Sequence, residues 1–446
     1  MMAWYIVLSV LLAGLLLVMF SGVPVAFSFF VVAGLVMYFG DFFGMTASGL
    51  PALKQLILGM RNQLSNFSFT PIPFFVIMGE VFFRSGIIKT TLDALSKLVR
   101  KIPGRLSIVT LLGGGIFASL SGSSLGNTAM FGSLMVPEMS RRGYSKELTT
   151  GSIMAGGALA MIIPPSNQAV LLGGIASISV GKILLGAIVP GLLLLSMYVA
   201  YVIIRCILRP DSAPKEDFGD EDVTVFEKLR VAFRDIVPLG IIFLVVMGVI
   251  FTGVGTATEA AAIGALASYL LAIAYRKFSL KLLWQTLIGS LRTSGMLLII
   301  IACSAGFSQV LSLTGASRAM VLAVTGSVTS EALVLFIMFF IVFLLGLFIE
   351  QASIMMICLP LFMPLVDSYG INEIWFAVIF LILLEVGQFT PPVGLSLFTM
   401  KSVSPPEITM GHIMRGAVPY FVIDIVAVGI LILIPTIVTF IPNITF

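Results

Sequence analysis

Two proline pairs, Pro164-Pro165 and Pro391-Pro392, each interrupt a long apolar stretch of a 446-residue chain, and they lie 227 residues apart. The same shift superposes Pro137 on Pro364, Gly143 on Gly370 and Gly79 on Gly306. In a chain with 43 glycines a single match means little, but five landmarks sharing one gapless offset point to an internal duplication. Within a bilayer every backbone polar group needs an internal partner, so helices and closed barrels are the only spanning structures open to such a chain. Helix-interrupted apolar segments at corresponding places in two halves are the sequence pointer to the binding site of a secondary transporter.

The composition bounds the alternatives. Hydrophobic residues make up 59% of the chain and charged residues 10%, against about 25% charged in soluble domains. A net charge of +4 with its basic residues at segment ends is no nucleic-acid footprint. Cys206, Cys303 and Cys358 have neither metal nor disulfide spacing and read as apolar filler. His412 is the only histidine, which leaves no histidine relay, no zinc motif and no Ser-His pair, so no enzyme is expected. Met1–Phe20 lacks a basic start and a small-residue cleavage site, and reads as a retained span.

Apolar segments of spanning length cover 3–21, 24–40, 71–84, 147–180, 181–205, 236–253, 256–275, 294–313, 372–402 and 412–441, the prolines breaking 147–180 and 372–402. Two further stretches, 105–141 and 331–368, consist of an apolar arm, a polar or small-residue centre and a second apolar arm. Arg100, Lys101 and Arg105 precede the first, and Arg141, Arg142 and Lys146 follow it. Basic residues favour the cytoplasm, so both ends face inward and the stretch is a re-entrant hairpin with its tip at Ser121–Ser124. The second has no basic residue at either edge, which puts its hairpin on the opposite side. This topology leaves only Lys54, Arg61, Lys182 and Arg318 of the 25 Lys and Arg outside, and sets both termini in the periplasm.

The expected fold is therefore an all-α integral membrane protein of two inverted repeats, each with a re-entrant helical hairpin and a Pro-broken transmembrane helix. Residues 1–70 and 236–292 are expected to form scaffold helices. Residues 71–205 and 293–446 form the hairpin-bearing parts, joined by a charged cytoplasmic linker at 206–235. Ile87–Lys101 and Phe278–Arg292 read as basic amphipathic helices lying in the membrane interface.

The first tip, Ser119–Asn127, reads SLSGSSLGN, and Ser and Gly hold a helix poorly there. Irregular backbone at that depth is tolerated only where it lines a cavity or coordinates something. The break, Ile162–Asn167, reads IIPPSN: its prolines remove donors and free upstream carbonyls, while Ser166 and Asn167 open a new half-helix. The second copy sets Glu350, Gln351, Ala352 and Ser353 against Thr390, Pro391, Pro392, Val393 and Gly394. A tip facing a broken helix offers carbonyl and hydroxyl oxygens to Na⁺ and half-helix N-termini to an anion. Five acids, Glu80, Glu259, Glu350, Glu385 and Asp424, fall in apolar spans or the second tip. Buried carboxylates are costly in a membrane and are functional candidates. Glu80 and Glu259 read as structural hydrogen-bonding groups. Glu350 and Glu385 read as groups that neutralise a cation or carry a proton, and Asp424 has no partner legible in the chain.

Phe74–Ile87, Ser121–Tyr144, the IIPPSN segment, Thr256–Leu266 and Gly387–Phe398 (GQFTPPVGLSLF) together resemble the large membrane (M, DctM-like) subunit of tripartite ATP-independent periplasmic (TRAP) transporters. The resemblance implies a Na⁺-driven importer of a small organic acid anion, a carboxylate or sulfonate such as a four-carbon dicarboxylate or sialic acid. It implies an elevator mechanism, a small four-helix membrane Q subunit expected as a separate chain, and a soluble periplasmic substrate-binding protein. The bacterial inner membrane is the implied location, with Na⁺ as coupling ion and no organic cofactor. Carried over residue by residue, one Na⁺ site uses Ser121, Gly122, Ser123 and Ser124 with Pro164 and Ser166. A second uses Glu350, Gln351 and Ser353 with Thr390, Pro391 and Gly394. Substrate lies between the tips, against Ser124, Asn127, Asn167, Ser353, Val393 and Ser396. The chain departs from many relatives at Leu383 and at Gly394–Ser396. A stand-alone Na⁺ or H⁺ symporter of organic anions with the same architecture remains the alternative.

Overall fold

The computed structural model describes residues 4–43, 45, 47–99, 102–121, 123–214, 225–328 and 330–445. Gly122, Arg100, Lys101 and the acidic 215–224 stretch of the linker lie outside the described residues, as do the side chains of 118–121 and 225–229.

All regular elements among the described residues are helical. The first half comprises α1 (Trp4–Phe20), α2 (Val25–Tyr38), α3 (Gly49–Leu64), α4 (Pro71–Ser85), α5 (Ile87–Leu98), α6 (Arg105–Ser121) and α7 (Ser124–Arg141). It continues with α8 (Lys146–Ala158), α9 (Asn167–Ala176) and α10 (Val180–Leu208). The linker contributes α11 (Val225–Asp235), and α12 (Val237–Phe251), α13 (Ala257–Ala274), α14 (Leu280–Leu313) and α15 (Ala316–Ser327) open the second half. There follow α16 (Glu331–Gly346), α17 (Gln351–Ser368), α18 (Glu373–Phe389), α19 (Leu395–Ser402), α20 (Met410–Leu433) and α21 (Thr436–Thr445). Among the described residues, six apolar helical stretches, α10, α14 and α20 among them, are long enough to cross a membrane.

The 227-residue offset carries into local geometry. Applied to α7, it lands on both ends of α17. It takes the N-cap Ser123, whose hydroxyl accepts from Gly126 N at 3.1 Å, onto the N-cap Glu350, whose carboxylate accepts from Ala352 N at 3.1 Å. Ser145, capping α8, maps onto Asn372, capping α18. Gly143 and Gly370 each turn the chain after a hairpin at φ 77° and 68°, a left-handed conformation open to glycine at little cost. Both proline pairs are joined by cis peptide bonds.

Four elements differ from the sequence reading. Phe278–Arg292 is not a separate surface helix: its residues from Leu280 run on into α14, 34 residues without a break. At 1.5 Å per residue that helix is about 51 Å long, longer than the roughly 30 Å hydrocarbon core, so it extends past the core. The amphipathic signal of its first turns therefore marks one face of a long helix. The last apolar segment is two helices, because Pro435 between α20 and α21 lacks the N–H a continuing helix needs. The elements α3 and α15 were not anticipated, though α15 is where the offset places the counterpart of α5.

Helix α18 forms the centre. Every residue from Trp375 to Phe389 is buried, as expected for a helix apolar all round. It packs against α10, α16, α17 and α20, and its C-terminal end reaches the tips of both hairpins.

Candidate functional site

Two pairs of consecutive helices pack against each other, and the chain leaves regular helix at both proline pairs. The first hairpin is α6 and α7 and the second α16 and α17; α8 ends at Ala158, ahead of the turn Leu159–Met161 and the first proline pair, and α18 ends at the second pair, the chain resuming as α9 and α19. The second arms cross over between the repeats: α17 packs on α9, and α7 on α19. Each hairpin therefore supports the half-helix of the other repeat.

The tips converge on one side chain. Glu385, in the last turns of α18 and 4% exposed, accepts on Oε2 from Ser124 Oγ at 2.7 Å and from Gln351 Nε2 at 2.7 Å. Gln351 Oε1 in turn accepts from Gln168 Nε2 at 3.3 Å. One continuous chain thus joins the first tip, the second tip, the central helix and the first turn of α9. A carboxyl oxygen with two donors at this depth is satisfied, which makes its burial tolerable.

Behind Glu385 lies Asp424 of α20, 2% exposed, which receives a hydrogen bond from Tyr198 Oη on α10. Asp424 thus has the partner that the chain alone did not reveal. Glu385, Asp424 and Tyr198, with the turn Leu159–Met161, wall a cavity of about 10 Å³, about the room one water occupies.

The remaining candidate residues divide by what their polar atoms do. Ser166 Oγ donates to Met161 O at 2.8 Å and accepts from Ala169 N at 3.3 Å, closing the first break. Thr390 Oγ1 donates to Val386 O at 2.5 Å, so that carbonyl is held at the second break. Ser123 and Glu350 cap their half-helices. Among the described residues, Asn167 Oδ1 and Ser396 Oγ are buried without a hydrogen-bond partner, and so are both amide atoms of Gln388. Such orphans are few in a folded protein and call for an explanation; oxygen atoms of this kind suit a bound alkali ion or a polar solute. Pro164 and Ser353 are buried, while Pro391 and Val393 are half-buried, so the first break is packed in and the second lies nearer the surface. Gly394 is required by close approach: a Cβ there would sit 2.2 Å from the Gln388 carbonyl oxygen.

A second, larger space opens beside the first tip. Ser123, Gly126, Asn127 and Met130 face Gly79, Glu80, Thr293 and Met296 of α4 and α14 across about 340 Å³. That is the lower end of small-molecule pocket sizes. Glu80 is held by Arg84 at 2.5 Å, and Glu259 closes a capping box with Thr256 at the start of α13, so both acids have structural roles. Gln168 and Gln388 were missed as candidates, although the first adjoins the IIPPSN segment and the second lies inside the closing motif.

Comparisons with known proteins show which family the chain belongs to. The chain is 30% identical over 395 residues to the "C4-dicarboxylate TRAP transporter large permease protein DctM" of Pseudomonas aeruginosa, covering 88% of this chain and 90% of that protein. It is 28% identical over 350 residues to the "Isethionate TRAP transporter permease protein DctMQ" of Oleidesulfovibrio alaskensis, covering 78% of this chain and 54% of that longer protein. In fold it resembles the solved YdaH transporter of Alcanivorax borkumensis, with a TM-score of 0.62 at 15% identity, covering 88% and 91% of the two chains. The family model for the DctM component of tripartite ATP-independent periplasmic transporters matches residues 12–437, and the chain belongs to that family of membrane permease subunits.

Proposed function

We propose that this chain is the transport-bearing subunit of a Na⁺-coupled importer that moves a small organic acid anion by an elevator motion. The observation that carries the reading is the meeting of two hairpin tips, one from each repeat, on the single carboxyl of Glu385 beside two broken helices. In such a layout an ion held at a tip bears directly on the position of the other tip.

The Na⁺ donors are the oxygens around the breaks and tips. Ser121, Gly122, Ser123 and Ser124 act with Pro164 and Ser166; Glu350, Gln351 and Ser353 act with Thr390, Pro391 and Gly394. The buried orphan oxygens of Asn167 and Ser396 supply polar contacts to the solute, with Ser124, Asn127, Ser353 and Val393. Of these, Asn127 also lines the space of about 340 Å³ beside the first tip, which admits a compact acid. Its carboxylate or sulfonate is received by half-helix N-termini and hydroxyls, which bind anions without a buried arginine. Relatives named for C4-dicarboxylate and for isethionate fit such a site, which discriminates little between the two anionic groups.

Helices within 1–70 and 236–292 serve as the scaffold, and the hairpin-bearing parts slide against it. Na⁺ binding that orders the tips raises solute affinity, and solute raises Na⁺ affinity by the same factor. A small membrane Q subunit completes the assembly, the periplasmic binding protein delivers the solute, and both termini lie on the periplasmic side of the inner membrane.

Reconstitution tests the assignment. Uptake of a labelled organic acid into proteoliposomes is expected only when this chain, its Q subunit and its binding protein are all present. Uptake by this chain alone would make it a stand-alone symporter of the same fold.

A further inference from the structure

Away from the tips, the C-terminal end of α10, the turn Pro210–Ser212 and the N-terminal turns of α8 and α20 enclose a cavity of about 830 Å³. It is a built feature: Ser145 N, at the start of α8, donates to Ser212 O at 2.9 Å and pins the turn in place. Three guanidiniums line it, Arg205, Arg209 and Arg415, against two carboxylates, Glu147 and Asp211. Among the described residues none of the three arginines forms a salt bridge with either acid.

Arg205 is held in advance of any ligand. Its Nη1 donates to Tyr201 Oη at 2.6 Å and its guanidinium sits 5.9 Å from that ring's centre. Tyr201 packs edge-on against Tyr420 at 5.2 Å, and Tyr420 against Tyr198 at 5.2 Å. Arg209 and Arg415 are exposed at the mouth. The N-terminal ends of α8 and α20 add positive helix-dipole ends on the same side.

The walls decide which anion fits. Ile204 and Leu208 line the cavity and are 55% and 74% exposed, and Val418 and Val422 on the adjoining face of α20 are also exposed. A soluble anion has no use for such aliphatics beside its guanidiniums, whereas a lipid has a phosphate and acyl chains to satisfy both. Basic pockets between membrane helices on the cytoplasmic side are the usual receptors for acidic headgroups, and Arg141, Arg142 and Lys146 give this end the matching charge bias.

We propose that this cavity binds the phosphate headgroup of an anionic phospholipid, with acyl chains along Ile204, Leu208, Val418 and Val422. The site is independent of the ion and solute sites, and its test does not require transport. Native mass spectrometry of the purified chain in detergent, titrated with phosphatidylglycerol or phosphatidylethanolamine, reads it directly. Phosphatidylglycerol is expected to bind more tightly than phosphatidylethanolamine. Arg209→Gln or Arg415→Gln should weaken it about fivefold each and both together about 30-fold. Lys54→Gln, on α3, should change nothing. Unchanged phosphatidylglycerol binding in the double variant would overturn the proposal. Displacement of the lipid by equimolar inorganic phosphate would also overturn it, and would mark a site for a soluble anion. If the double variant loses its helical signal, the two single variants at these exposed positions carry the test.

Discussion

Removing the Glu385 carboxyl should release the first hairpin tip. Ser124 Oγ donates to Glu385 Oε2 at 2.7 Å, and Glu385 is buried. Glu385→Ala leaves that hydroxyl without an acceptor, a loss of about 1–3 kcal/mol. Taking about 2 kcal/mol, the open tip becomes roughly 30 times more populated. Glu385→Gln keeps an oxygen in reach of both donors and should cost about 1 kcal/mol or less. The reporter is Thr128→Cys on the first turns of α7, at a position 1% exposed, with the buried Cys206, Cys303 and Cys358 replaced by alanine. Labelling by a small thiol reagent then requires the tip to open, and its rate follows the opening equilibrium. The expected order is Glu385→Ala far above Glu385→Gln, with the parent slowest. Ser124→Ala should raise the rate in the parent and add little in Glu385→Ala, since the two act through one bond. Equal labelling of Glu385→Ala and the parent would refute the clamp.

Four further outcomes follow from the packing. Gly394→Ala should destabilise by about 1–3 kcal/mol, because its Cβ meets the Gln388 carbonyl backbone at 2.2 Å; Gly240→Ala, with open space around it, should be neutral or stabilising in the same thermal-unfolding assay. Tyr198→Phe should cost about 1–3 kcal/mol by stranding the Asp424 carboxyl, and adding Asp424→Leu should recover much of that loss. Asn372→Ala, which removes a cap to Ile374 N and Trp375 N, should lower stability by about 1 kcal/mol and leave solute affinity unchanged. Ser166→Ala should lower both, measured by unfolding and by solute binding to the reconstituted assembly.

Much of the fold was legible because the constraints were local or periodic. The offset between Pro164 and Pro391 located both breaks, and a polar centre between apolar arms located both tips. The ends of α7 and α17 fall one offset apart, as a gapless duplication requires. What escaped notice was of two kinds. Continuity was misjudged where composition changes along one helix, as at Arg292 inside α14, or where one proline divides an otherwise uniform apolar run, as at Pro435. Partnership was invisible where it is long-range: Glu385 meets Ser124 from 261 residues away and Asp424 meets Tyr198 from 226 away. No spacing rule on a helix or strand reaches that far. The acids themselves were singled out by the cost of burying charge in a membrane, but their roles needed the packed structure. The orphaned amide of Gln388 is of the same kind, a polar residue whose significance appears only once its side chain is seen to be fully buried.

The central claim is that cation binding at the tips drives solute movement, and the most direct measurement is uptake by the three-component assembly in proteoliposomes under an inward Na⁺ gradient. The account expects accumulation that collapses when K⁺ replaces Na⁺, and that rises with membrane potential if more positive than negative charge enters per cycle. Equal accumulation in K⁺ would contradict it and return the two broken-helix cradles to a structural role.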